Sequence, residues 1–176
     1  MTRRRVSIDI LLAAAVALPL SALAERAAVA REIVQVPDAR YQPGTIVIRT
    51  GERRLYLVTG GGEAIAYTIA VGKAGKQWRG VKYVEEMQVD PAWSPPASVR
   101  RDKPSLPDVI PGGSPRNPMG ARVIGLGPGG EYAIHGTNMP GTIGTAASYG
   151  CFRMHNNDVA DLYARVRMGT PVVVLP

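Results

Sequence analysis

From Thr45 to Ile134 the chain offers mainly short runs of strand-forming residues, most of them cut off by glycine before they reach helical length. Thr45-Ile46-Val47-Ile48-Arg49-Thr50 is rich in β-branched side chains, which pack well on a pleated surface, and Gly51-Glu52 turns it. Arg53 to Val58 gives a second run, Gly60-Gly61-Gly62 a second turn, and Ala64 to Val71 a third run. Val81 to Val89 can form another strand, ended by Asp90-Pro91. Ala121 to Leu126 and Glu131 to Ile134 read as a strand pair about Gly127-Pro128-Gly129-Gly130. Short strands at this spacing, with glycine turns between them, predict a mainly β domain.

That last turn matches G-x-G-x-x-G through Gly125, Gly127 and Gly130. It does not predict a dinucleotide site, because Pro128 sits in the loop and a strand follows where a helix would be required. The pattern changes period only near the C-terminus. Val159, Leu162, Tyr163 and Val166 fall at i, i+3, i+4 and i+7, the apolar stripe of one short helix packing on a sheet. Asn156 or Asn157 suits its N-cap, Asp158 its first turn, and Arg165 and Arg167 its last. Gly169 can close it before a final strand, Pro171 to Leu175.

The N-terminus reads differently. Thr2-Arg3-Arg4-Arg5 precedes an apolar run from Ile10 to Ala24, and Ala22-Leu23-Ala24 has the small-x-small form of a signal-peptidase site. This predicts a secretory signal over 1–24, a polar linker or arm over 25–43, and one domain over 44–176. The competing reading, a membrane anchor, needs roughly 20 apolar residues, and this run is shorter. Without a span, the exported form would lie in the periplasm. The arginines leave the export route open, and no cysteine near the cleavage site offers itself for lipid attachment. The formal charge of +7 includes +2 from residues 1–24, which leaves +5 for the remainder. A mildly basic exported protein suits an anionic polymer such as cell wall. Nucleic acid is the competing partner, but the basic residues form no stripe with interleaved aromatics.

The chain holds a single cysteine, Cys151, and two histidines, His135 and His155. In an oxidising compartment an unpaired cysteine is either buried and inert or a reactive thiol. The thiolate is the nucleophile, so a reactive one needs a nearby base. The hairpin places His135 at the end of a strand, and Cys151 follows sixteen residues later in a segment framed by Gly136, Gly141, Gly144 and Gly150. His135 could take the thiol proton while backbone N–H groups around Tyr149, Gly150 and Cys151 hold an oxyanion. A helix start close behind Cys151 would favour its thiolate. The alternatives are a structural Cys and His, or a metal site using His135 and the C-x₃-H pair Cys151 and His155, though no second cysteine completes one. Ala97 to Met119 carries five prolines and little periodicity, which reads as a lid, a binding loop or a passive surface excursion.

Ile134-His135-Gly136-Thr137-Asn138, a spacer, and Ser148-Tyr149-Gly150-Cys151-Phe152-Arg153-Met154 resemble the signature of L,D-transpeptidases with the YkuD-type catalytic domain. Arg54 to Val58, Tyr67 to Lys73, Trp93-Ser94-Pro95-Pro96 and Asn117-Pro118-Met119-Gly120 resemble family segments too, so the likeness spans roughly 44–176. It implies a mainly β sandwich with one short helix after the catalytic cysteine. It also implies a carbapenem-sensitive enzyme of bacterial peptidoglycan that needs neither cofactor nor metal. Cys151 would be the acyl-enzyme nucleophile and His135 its base. Gly136 would lend a carbonyl to the imidazole, and Ser148, Tyr149 and Gly150 would shape the oxyanion site. Arg153, Asn138 and Trp93 would position the loop or substrate. The donor would be a stem peptide ending in D-alanine, attacked at the diaminopimelate carbonyl. The acceptor would be another stem, an outer-membrane lipoprotein, a D-amino acid or water. A silent wall-binding module is the reading from another class. Where the family usually has histidine between serine and glycine this chain has Tyr149, which does not ionise near pH 7.

Overall fold

The computed structural model describes residues 32–36, 38 and 40–176. The secretory signal expected over 1–24 and the first part of the expected arm lie outside the described residues. In chain order the strands and helices are β1 (Glu32–Gln35), β2 (Ile46–Arg49), β3 (Arg54–Gly60), β4 (Glu63–Thr68), β5 (Val71–Gly72), β6 (Gly80–Val89), α1 (Ala97–Asp102), β7 (Arg122–Leu126), β8 (Tyr132–His135), β9 (Ala146–Ser148), β10 (Phe152–Arg153), α2 (Asn156–Arg165) and β11 (Pro171–Leu175). The domain is mainly β. Part of the segment expected as an irregular arm is strand β1, which adds antiparallel to β4.

Nine strands form one sheet in the order β1-β4-β3-β2-β11-β6-β7-β8-β10, and β5 pairs with β9 apart from it. β2 lies inside the sheet with both faces covered, which is why Ile46, Val47 and Ile48 are an unbroken apolar run, all fully buried. The corner is β6. Its first half, Gly80 to Tyr83, pairs with β11, and from Val84 onward it pairs with β7, with a register shift between Val84 and Glu86. An irregularity there lets one long strand serve two parts of a bent sheet. Both parts feed one core: Ile48, Leu55 and Val172 from one side, Ile124, Ile134 and Phe152 from the other.

α2 covers that core with Val159 and Leu162, both fully buried. Its N-cap is His155, not Asn156 or Asn157. The Asn156 amide is engaged elsewhere, accepting from the backbone N–H groups of Ala121 and Thr137 at 3.2 and 3.0 Å. The helix ends at Arg165, so Arg167 falls beyond it. A second helix, α1, corrects the expectation of one. It is six residues long, too short to show a period, and starts where the Pro96 carbonyl accepts from Val99 and Arg100 at 2.9 Å each. Among the described residues no helix is long and apolar enough to cross a membrane.

The strand expected over Ala64 to Val71 breaks after Thr68. Its tail leaves β3: Ala70 exchanges hydrogen bonds with Arg153, and Val71 donates to Thr145 at 3.0 Å. The end of an early strand is thereby tied to the segment that carries Cys151. Leu162→Ala empties a fully buried site between helix and sheet and should cost about 2–5 kcal/mol, read from chemical denaturation.

Candidate active site

The site is built on two short parallel strands. β10 runs beside β8 in register, with Phe152 opposite Ile134 and Arg153 opposite His135. Side chains alternate along a strand, so Ile134 and Phe152 turn into the core, where both are buried. His135 and Arg153 take the other face, and Cys151, two residues before Arg153, shares it.

Trp93, His135, Asn138, Ser148, Tyr149, Cys151 and Arg153 line one cavity of about 200 Å³. Gly136 and Gly150 lie outside that lining and act through backbone hydrogen bonds, to the His135 ring and to Ser148 and Trp78 respectively. Cys151 and Tyr149 also border a second cleft, on the side of Gln77, Glu131 and Tyr132. His155 sits at the helix cap, away from both linings. Among the described residues no three His, Cys, Asp or Glu side chains gather at one point.

His135 is 2 % exposed, and its Nδ1 lies 2.7 Å from the carbonyl oxygen of Gly136. A carbonyl only accepts, so Nδ1 carries the hydrogen and the neutral ring keeps its lone pair on Nε2. Burial, and then the Arg153 charge, push the imidazole pKa down to about 4, against the pull of the Gly136 and Pro118 carbonyls. At pH 7 the ring is a neutral base.

Cys151 is a free thiol. Burial raises its pKa, while a backbone hydrogen bond at Ala133 and the Arg153 charge work the other way. β10 and Met154 stand between Cys151 and the start of α2 in the chain, so the expected help from the helix start gives way to burial. Among the described residues no hydrogen bond joins the imidazole to the sulfur. Both shifts favour the uncharged forms, a neutral ring and a neutral thiol.

The loop that ends in Cys151 is held by specific polar contacts. The Ser148 hydroxyl donates to the Cys151 carbonyl at 2.5 Å and accepts the Gly150 N–H at 3.1 Å. That takes Gly150 out of the set of free oxyanion donors. Gly150 has φ +126°, and a Cβ there would stand 2.8 Å from the Tyr132 ring, so the fold itself requires the glycine. Its carbonyl accepts from Trp78 Nε1 at 3.1 Å, and Trp78 in turn packs on Tyr132 with ring centroids 4.7 Å apart.

Trp78 was not singled out from sequence, although an aromatic residue in a Gly- and Lys-rich loop is a usable signal. Asn156, expected as a helix N-cap, and Asn117, part of a family-like segment, both hold loops around the site. Asn156 clamps Thr137 through N–H and carbonyl at 3.0 and 3.1 Å. Asn117 is buried and donates to the carbonyls of Pro91 and Pro111 at 2.8 and 3.1 Å, closing the base of the proline-rich excursion. Further contacts order that excursion. Trp93 and Ile110 exchange backbone hydrogen bonds at 2.9 and 2.8 Å, and Asn138 donates to the Arg116 carbonyl at 3.1 Å.

Tyr149 links the cysteine loop to α1. Its hydroxyl donates to Asp102 at 2.5 Å, and Lys73 lies 4.0 Å from its ring centroid and 3.6 Å from the same carboxylate. The Tyr149 hydrogen bond, more than Lys73, holds the Asp102 carboxyl below its usual range.

A bent β domain with an imidazole and a thiol on one cavity face is the class of catalytic domain this geometry defines. The sequence model of the L,D-transpeptidase catalytic domain, YkuD, matches residues 43–174, and the chain belongs to that family. It is 37 % identical over 153 residues to the probable L,D-transpeptidase ErfK/SrfK of Salmonella typhimurium, across 80 % of this chain and 48 % of that protein. The chain thus spans about half the length of that relative. In fold it is similar to an L,D-transpeptidase from Mycobacterium smegmatis (TM-score 0.59, 16 % identity, 75 % of this chain and 58 % of that one). It is also similar to the catalytic domain of an E. faecium L,D-transpeptidase acylated by ertapenem (TM-score 0.54, 20 % identity, 74 % and 95 %).

Tyr149→Phe removes the donor that ties the cysteine loop to α1. Amide hydrogen exchange over 97–103 should quicken by about fivefold or more, the loss of one hydrogen bond to a charged acceptor, while the global unfolding midpoint moves little.

Proposed function

We propose that this chain is an exported peptidoglycan L,D-transpeptidase in which Cys151 is the nucleophile and His135 the base. The observation that carries this is the β8–β10 pairing, which sets His135 beside Arg153 and puts Cys151 on the same cavity. Family membership supports the reaction class. The signal-like residues 1–24 support export, to the periplasm.

His135 Nε2 takes the Cys151 proton as the sulfur attacks the diaminopimelate carbonyl of a stem tetrapeptide. Donor binding excludes water and closes the last distance between ring and sulfur; such contacts tighten in the complex. The oxyanion falls to the N–H groups of Tyr149 and Cys151, since Ser148 occupies that of Gly150. Collapse expels the D-alanine amine, which receives the proton from His135. An amine from a neighbouring stem then attacks the thioester, His135 accepts its proton, and the thiol is regenerated as a 3→3 cross-link forms. Cys151 borders two clefts, which leaves room for a donor on one side and an acceptor on the other and favours transfer to an amine over transfer to water.

The test uses the protein from residue 25 onward with tetrapeptide muropeptides. Wild type should release D-alanine and form dimers, and Cys151→Ala, folded and still binding, should do neither. Equal inactivity of the two proteins sinks the enzyme reading. Shortened monomer without dimer would make the chain a hydrolase, and an outer-membrane lipoprotein can be offered as the alternative acceptor. A carbapenem should add its mass to wild type and leave Cys151→Ala unmodified.

The neutral resting pair has its own signature. With the thiol pKa raised and the imidazole pKa lowered to about 4, alkylation of free enzyme by iodoacetamide should climb steadily with pH through 9. A plateau already reached near pH 6 would mean a preformed thiolate–imidazolium pair and contradict the burial argument.

A further inference from the structure

The cavity over Cys151 carries three cations, Lys103, Arg116 and Arg153, and no carboxylate lines it. Among the described residues none of the three has an ion-pair partner. The nearby acids are committed elsewhere: Asp102 to Lys73 and Tyr149, and Asp108 to Arg100 at 2.8 Å. Arg153 is half-buried, and its own pKa is lowered by that burial. A guanidinium partly withdrawn from water without a carboxylate is costly unless an anion arrives to match it. The rest of the wall is largely apolar, with Val99, Leu106 and Ile110 among it, so the field of three like charges is concentrated in the cleft.

We propose that this cavity reads the donor by its carboxylates, with Lys103 and Arg116 as specificity-determining residues. Arg153, in register with His135, faces the carboxylate nearest the reacting bond, that of the departing C-terminal residue. Lys103 and Arg116 belong to the proline-rich excursion and face a second carboxylate, on the side chain of the residue that is attacked. The chosen donor is a peptide with both carboxylates free; one whose side-chain carboxylate is a carboxamide leaves the two outer cations unmatched. This rests on the transpeptidase reading, because it is the acyl donor that supplies both groups.

Two tetrapeptide donors, identical except for a free or amidated side-chain carboxylate at the third residue, give the first arm. Wild type should favour the free form at least about tenfold in kcat/KM, the scale of one hydrogen bond to a charged group. Arg116→Gln and Lys103→Met should each lose most of that preference through KM, with little change on the amidated donor. The second arm needs no turnover. Alkylation of Cys151 by iodoacetate relative to iodoacetamide, each normalised to a small free thiol, should be raised in wild type and fall in the double variant. If neither donor reacts but the iodoacetate preference stands and falls with the variants, the anion site holds and the transpeptidase reading fails. If both donors react equally and iodoacetate shows no preference, the transpeptidase reading holds and this inference is overturned.

Discussion

The parallel pairing of β10 with β8 is the constraint on which the site depends. Parallel neighbours cannot be joined by a tight turn; the chain must cross over, and the crossover needs a dozen or more residues. Here the connection is the segment from Gly136 to Cys151, so the loop that delivers Cys151 is also the link the topology demands. Two rungs fix it. Ile134 and Phe152 anchor the pair in the core, and the next rung places His135 and Arg153 side by side on the opposite face.

A crossover this long has few ladder hydrogen bonds, so side chains take over their work. Ser148 staples the turn around Gly150, Asn156 clamps Thr137, and Asn117 closes the excursion that roofs the cavity. The diverted end of the third strand run adds backbone bonds from Ala70 and Val71. Tyr149 joins this set from the far side. At a position where the family usually has an imidazole, its phenol makes a structural tie to Asp102 and α1.

Burial sets the electrostatics. The same dry surroundings that fix the His135 ring suppress its charge, and they raise the cost of a thiolate at Cys151. The Arg153 charge pushes the two groups in complementary senses, discouraging a proton on the ring and favouring a negative sulfur. Both groups are thus held toward their neutral forms, the state from which the proposed proton transfer would start.

Most of the strands were legible in the chain because β-branched runs ended by glycine can do little else, and α2 was legible from one apolar stripe. That Cys151 and His135 share a cavity was foreshadowed by a lone cysteine and a strand-end histidine in one glycine-framed segment. β9, the six-residue α1 and the break after Thr68 were not, since each is shorter than the period that would reveal it and is held by partners distant in sequence. Asn156 looked like a helix cap because local spacing permits that, yet its amide is spent on Thr137 and Ala121. Local pattern thus encodes the longer strands and α2, and it supplies one thiol and one strand-end imidazole as candidates. Packing of distant segments is what sets Arg153 beside His135, engages the Gly150 N–H with Ser148, and turns three cations toward one cavity without a carboxylate. Strand register and unmatched charge are relations between residues far apart in the chain, and no local pattern records them.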